Sequence, residues 1–176
     1  MKNNIRLTGT GGQGLILAGI ILAEAALLEG KNAIQSQSYG PEARGGASKA
    51  EVIIADEKIY YPKVLASDYL LAMSEKAYEK YSGGMKQDSV LIIDTTFVKA
   101  TAHPKAKKIY AIPITELAIK ATGRELTANI CALGIISALG VVGEEPLRKA
   151  ILKRIPKGSE ELNMKAFEAG KAAVEK

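Results

Sequence analysis

Apolar positions follow two rhythms along this chain. Residues 5–8 form a short β-compatible run that glycines cut off sharply, which predicts a strand. Residues 15–29 then place Leu15, Ala18, Ile21, Leu22, Ala25 and Leu28 at the spacing of one helical face, and Gly30 supplies the stop. A second strand is expected at 33–37, so the first forty residues read as the start of a βαβ unit. Residues 38–47, SYGPEARGGA, fit neither period and read as a loop. KAEVIIADEKIYYP follows and reads as a hairpin: a β-rich run to Ala55, a polar turn at 56–58 and a shorter return strand ended by Pro62.

Residues 68–73 and 89–94 are apolar without alternation, the pattern of central strands covered on both faces. Between them lies the helix-like SEKAYEKYSGG, stopping at Gly83 and Gly84, and 108–112 adds a further strand before Pro113. The last third turns helical: 115–122, the almost wholly apolar 128–139, 146–155 opening on a favourably placed proline, and a final helix capped by Ser159. This alternation predicts an α/β fold, a three-layer Rossmann-like domain with a mainly parallel sheet and an added antiparallel hairpin. No repeat or linker divides the chain, and one domain over 1–176 is expected.

Composition narrows the functional classes. Apolar residues at 47% and charged residues at 24% suit a folded domain. The net charge of +5 is scattered, and a chain with no Trp and two Phe lacks the aromatic platforms of a nucleic-acid surface. The single cysteine, Cys131, lies in the apolar stretch NICALGII and reads as a small buried hydrophobe. One thiol makes neither an internal disulfide nor the usual four-thiolate iron–sulfur site. A reducing, cytoplasmic location is expected, since the apolar run at 15–28 is broken by Glu24 and too short to span a membrane, and no signal segment precedes it.

The candidate chemistry begins at GTGGQG, residues 9–14. In the form Gly9-x-Gly11-x-x-Gly14, between a strand and a helix, it satisfies the first half of the dinucleotide fingerprint, with a helix N-terminus to receive a pyrophosphate. The second half is missing: the strand that should end on an acid for the ribose hydroxyls reads AIQSQS, which disfavours NAD or NADP. No Gly-Lys-Ser/Thr follows, so nucleoside triphosphate hydrolysis is not expected. From the loop alone, a phosphate cradle and a ligand-free tight turn stand equal.

SYGPEARGGA adds a second candidate. Pro41 stiffens it, Gly45 and Gly46 give it unusual backbone freedom, and Arg44 offers a fork of donors for phosphate or carboxylate, with an ordinary ion pair as the alternative. If the first two strands are parallel neighbours, both loops meet at the carboxyl edge of the sheet, where open α/β sheets bind ligands. Other catalytic groups do not assemble. His103, the only histidine, reads as a surface loop residue, Asp94 as a strand terminator, and Cys131 has no base tied to it.

Taken together, GTGGQG with its Leu-Ala-Gly-rich helix, QSQSYGPEARGGASKAEVIIADEKIYYPKV, DYLLAMS, LIIDTT, NICALG and ELNMKAFEAG resemble the gamma subunit of the 2-oxoacid:ferredoxin oxidoreductases over nearly the whole chain. The form PEARGGAS followed by YPKV is most similar to the 2-oxoglutarate branch, with pyruvate and branched-chain oxoacid specificity as alternatives. The resemblance implies an enzyme that decarboxylates a 2-oxoacid on thiamine diphosphate, reduces ferredoxin through iron–sulfur clusters and delivers the acyl group to coenzyme A. Thiamine diphosphate, magnesium and the clusters would belong to alpha and beta partners and a ferredoxin-like delta subunit. This chain would serve assembly and coenzyme A binding, with no catalytic residue, no metal, no nucleic acid and no membrane partner.

Carried over, the resemblance gives Gly9, Gly11, Gly12, Gln13 and Gly14 a role in shaping the nucleotide-facing loop, with Thr10 a small side chain that leaves the site open. Ser38, Tyr39, Gly40, Pro41, Glu42, Arg44, Gly45 and Gly46 would form the loop facing ligand or partner. The alternatives are a purely structural scaffold subunit and a free-standing NAD(P)-binding oxidoreductase, and the isolated chain could close an apolar face as a homodimer.

Overall fold

The computed structural model describes residues 1–38 and 46–174, and these form six strands, interspersed with two α-helices, followed by four further α-helices. The strands are β1 (Lys2–Thr10), β2 (Asn32–Gln37), β3 (Ala47–Ala55), β4 (Ser67–Ala72), β5 (Met85–Asp94) and β6 (Ala106–Ile112). The helices are α1 (Leu15–Leu28), α2 (Glu75–Tyr81), α3 (Ile114–Thr122), α4 (Ala128–Ala138), α5 (Glu144–Arg154) and α6 (Glu160–Val174). All strands join one sheet in the order β2-β3-β1-β4-β5-β6. The pairs β1–β4, β4–β5 and β5–β6 are parallel, while β3 runs antiparallel to both neighbours, β1 and β2.

Strand side chains alternate between the two faces. Ile5, Leu7, Ala50, Val52, Ile54, Leu71 and Ile92 turn into the main core beneath α1, α3, α4, α5 and α6. A smaller core built from Leu70, Met85, Leu91, Ile93 and Val98 lies on the other face, with Tyr78 and Tyr81 of α2 packed against it. The domain is therefore a three-layer α/β structure with unequal outer layers.

The run at 128–139 lacks a polar face because its helix has no free side: Ala128 through Ile136 of α4 are buried in succession. Its crossing with α6 is a backbone contact. A methyl group at Gly134 would run into the Phe167 carbonyl, and one at Gly170 into that of Cys131.

Three expectations are corrected. Residues 59–62 do not pair as a return strand; the antiparallel hairpin is β2–β3. The apolar β3 has both edges taken by β1 and β2, leaving no vacant edge for 59–62. The polar β2 takes the outer position, where one edge faces away from the sheet. The first two strands are consequently not neighbours, since β3 separates them. In α1, five of the six expected core residues are buried, but Leu28 at the last turn is exposed.

Candidate functional site

The glycine loop is built as a clamped turn. β1 ends at Thr10 against the beginning of β3, with Gly9 opposite Ser48 and Thr10 opposite Ala47. Gly12 (φ +89°) and Gly14 (φ +73°) adopt left-handed backbone conformations, which glycine enters without the Cβ penalty. The Gln13 carboxamide closes the turn on itself and onto the sheet: Oε1 accepts the Thr10 N–H at 2.7 Å, and Nε2 donates to the Met73 carbonyl at 3.0 Å. From α4, Asn129 Nδ2 donates to the Gly14 carbonyl at 3.1 Å.

Packing accounts for part of the glycine content. A Cβ at Gly9 would overlap the Gln13 carboxamide oxygen, and one at Gly14 would stand 2.5 Å from Asn129 Nδ2. Gly12 differs, because nothing lies within 4 Å of the position its Cβ would take. That glycine opens onto space instead of against the protein.

The N–H groups of Gly11, Gly12 and Gly14 have no hydrogen bond to a described residue, and the first bond inside α1 runs from Ala18 N–H to the Gly14 carbonyl. The amides of Leu15, Ile16 and Leu17 are thus the unpaired donors of a helix start, at the positive end of its dipole. On one side of the loop opens a cleft of about 450 Å³, lined by Thr10, Gly11, Gly12, Gly14, the first turns of α1, Ser38, Ser48 and Lys49. On the other is a cleft of about 580 Å³ bounded by Gln13, Met73, Ser74, Phe97, Glu125 and Leu126.

The structure brings the glycine loop and Ser38 to the same cleft, while Gly46 immediately precedes β3. Tyr39, Gly40, Pro41, Glu42, Arg44 and Gly45 lie outside the described residues. The described ends of the second stretch reach this edge by a different route from the expected one: Gly46 leads into β3, which lies directly beside β1. This arrangement also weakens a nicotinamide site, because the strand end where a ribose acid belongs is two strand spacings from β1, roughly 10 Å.

Sequence reasoning missed the charged group beneath this edge. Arg6 Nε binds Glu51 Oε1 at 3.0 Å, Arg6 Nη2 donates to the Val64 carbonyl at 2.8 Å, and Glu51 Oε2 accepts the Val64 N–H at 3.2 Å. Lys49 Nζ joins the same Glu51 oxygen at 2.9 Å, so two cations share one carboxylate. Burial pushes the Glu51 carboxyl up, but the Lys49 hydrogen bond, the charges of Arg6 and Lys49, and the Val64 N–H together hold it below the usual carboxylate range. The signal was present in NIRLT and SKAEV, where a charge interrupts each apolar strand, but charges at alternate strand positions ordinarily face water.

The remaining candidates take structural places. Asp94 is fully buried, and its carboxylate accepts from Thr96 N, Thr115 N and Thr115 Oγ1. It ties the end of β5 to the start of α3. His103 is half-buried, edge-on to Tyr78, with Nδ1 accepting the Lys105 N–H. Cys131 is buried in α4, where burial, aided by the charge of Asp94, pushes its thiol up to about 12. Among the described residues no group of three or more His, Cys, Asp and Glu side chains is placed to hold a metal ion, and no helix is long and apolar enough to cross a membrane.

Comparison with known proteins agrees with this architecture. Residues 4–173 match the family model of the pyruvate ferredoxin/flavodoxin oxidoreductases. The chain is 47% identical over 173 residues to the 2-oxoglutarate synthase subunit KorC of Methanocaldococcus jannaschii, covering 97% of this chain and 92% of that protein. The crystal structure of a keto/oxoacid ferredoxin oxidoreductase gamma subunit from Geobacter sulfurreducens superposes with a TM-score of 0.90 at 46% identity, covering 99% of this chain and 98% of the other. A more distant relative, the ketoisovalerate oxidoreductase subunit VorA of Methanothermobacter marburgensis, is 32% identical over 94% of this chain but only 35% of its own length. With a family match across nearly every residue and gamma-type relatives of the same length and fold, the chain belongs to the pyruvate ferredoxin/flavodoxin oxidoreductase family as a gamma-type subunit.

Proposed function

We propose that this chain is the gamma subunit of a 2-oxoglutarate:ferredoxin oxidoreductase, assembling with alpha-type and beta-type chains and presenting coenzyme A to chemistry performed on them. The choice of 2-oxoglutarate rests on likeness to KorC. The observation that carries the coenzyme A role is the clamped glycine turn, whose unpaired amides belong to residues lining the cleft that also holds Ser38, Ser48 and Lys49. The donor set fits a pyrophosphate: backbone N–H groups of Gly11, Gly12, Gly14 and the first turn of α1, with the hydroxyls of Ser38 and Ser48 beside them. Coenzyme A, when bound, supplies a thiol to accept the acyl group. The residues of this chain bind and orient it, Gln13 and Asn129 by holding the turn in shape and Gly12 by leaving room for the ligand.

Cluster chemistry does not fit this chain, because one cysteine cannot furnish the four thiolates that are usual. Thiamine diphosphate, magnesium, the clusters and the ferredoxin contact are assigned to partner subunits. A scaffold reading competes on one observation, since Gly9 and Gly14 are already required by their own packing. Gly12 separates the two readings. In the assembled complex, Gly12→Val should raise the KM for coenzyme A by about tenfold or more, the scale of losing one or two good donor contacts, while the KM for 2-oxoglutarate stays put. An unchanged coenzyme A requirement in a complex of normal composition would leave the chain a scaffold.

A further inference from the structure

Residues 56–66 join β3 to β4 without forming a strand or helix, and Val64 meets the Arg6 and Glu51 side chains on the sheet face opposite the five-helix layer. The segment is pinned at both ends. At Asp56 the N–H donates to the Met1 carbonyl and the carbonyl accepts Asn32 Nδ2. At Val64 the buried backbone is held from both sides, its carbonyl by Arg6 and its N–H by Glu51. Between and beside these ties the large side chains turn outward: Tyr60 is 86% exposed, Leu65 78% and Tyr61 51%. A loop fastened by a buried ion pair while presenting two tyrosines and a leucine to water has the composition of an interface core, with little ordering entropy left to lose on docking.

We propose that this strap is the docking surface for the chain that carries the part of the VorA-type relative lying outside the matched third. In VorA the domain equivalent to this one occupies 35% of a longer protein, so covalent linkage keeps the remainder beside it. In KorC, of which this chain spans 92%, the same domain stands as its own protein and must hold such a neighbour by surface contact alone. The strap supplies that contact, Tyr60 and Leu65 being the anchors and Val64 the fixed point. Lys58 and Lys63, both exposed and flanking the tyrosines, call for acidic residues around the receiving apolar pockets.

The inference rests on the subunit reading, and the test separates the two. The wild-type chain and a Y60S/L65S variant are co-expressed with the alpha-type and beta-type subunits, and affinity for the purified partners is measured alongside the melting temperature of each isolated chain. Y60S/L65S should lose about 30-fold or more in affinity, the scale of two anchor truncations, with an unchanged melting temperature. Leu152→Ser on α5, across the sheet, should bind as wild type. K58E/K63E should slow association and flatten its salt dependence, and amide exchange at 57–65 should slow in the complex. If the wild-type chain joins no partner, the subunit reading itself falls. If it joins and Y60S/L65S joins equally well, or if Y60S/L65S merely dissolves a homodimer of the isolated chain, the strap assignment is overturned while the subunit reading stands.

Discussion

Arg6 and Glu51 stand directly opposite each other on antiparallel strands, and their side chains meet across the pair with Nε to Oε1 at 3.0 Å, exposed to only 6% and 5%. Neither charge is left to the other alone. Val64 contributes its carbonyl to the guanidinium and its N–H to the carboxylate, so the ion pair fastens a loop as well as two strands.

Removing one partner strands the other in the interior. Glu51→Leu should destabilise the domain by about 3–5 kcal/mol, whereas the double variant R6M/E51L should recover only part of that loss, because paired apolar replacements carry no orphan charge but leave the buried Val64 carbonyl and N–H without partners. Urea unfolding of the three proteins checks the order.

The same carboxylate makes stability depend on acid. Its native pKa is held low, so its contribution is fully present above the unfolded value, about 4.3, and is lost as pH falls through the lower native value. E51Q should lack that portion of the acid slope in a pH series of melting temperatures.

The α4–α6 crossing tolerates no side chain at its two glycines. Gly134→Ala or Gly170→Ala would place a methyl group into the facing backbone and should cost about 3 kcal/mol, the upper end of ordinary overpacking. Gly83→Ala, with nothing within 4 Å of the added atom, should be close to neutral. Thermal unfolding of the three variants distinguishes a close helix contact from a general intolerance of alanine.

Cys131 should be inert until the chain unfolds. With its thiol pushed up to about 12 and no exposure, a thiol-specific reagent should label it only in denaturant. Unfolding lowers the thiol pKa to about 8.5, so above that pH the unfolded state sheds a proton the native state keeps. Stability should therefore decline with rising alkalinity, and Cys131→Ala should remove this component of the slope, measured by denaturation between pH 8 and pH 10 as a pH range set around about 8.5.

Element identity was largely legible along the chain. The alternation at 5–8, the single-face spacing from Leu15 and the unbroken apolar run at 128–139 each matched the element that formed, because these patterns are local consequences of backbone period. Half of the candidate site was legible for the same reason: glycine spacing between a strand and a helix marks a special turn. Its clamps were not, since Met73 lies 60 residues from Gln13 and Asn129 lies 115 from Gly14.

By itself, then, the sequence determined an α/β domain, a turn whose glycines are needed, and a chain with too few thiols for cluster chemistry. Tertiary structure decided that β3 enters between β1 and β2, that a charge on each of β1 and β3 turns inward to meet its opposite, and that IYYP lies outward as a strap instead of a strand. The physical reason is that sheet order and burial depend on which edges and faces other segments have already sealed. Local periodicity specifies the element but not its neighbours.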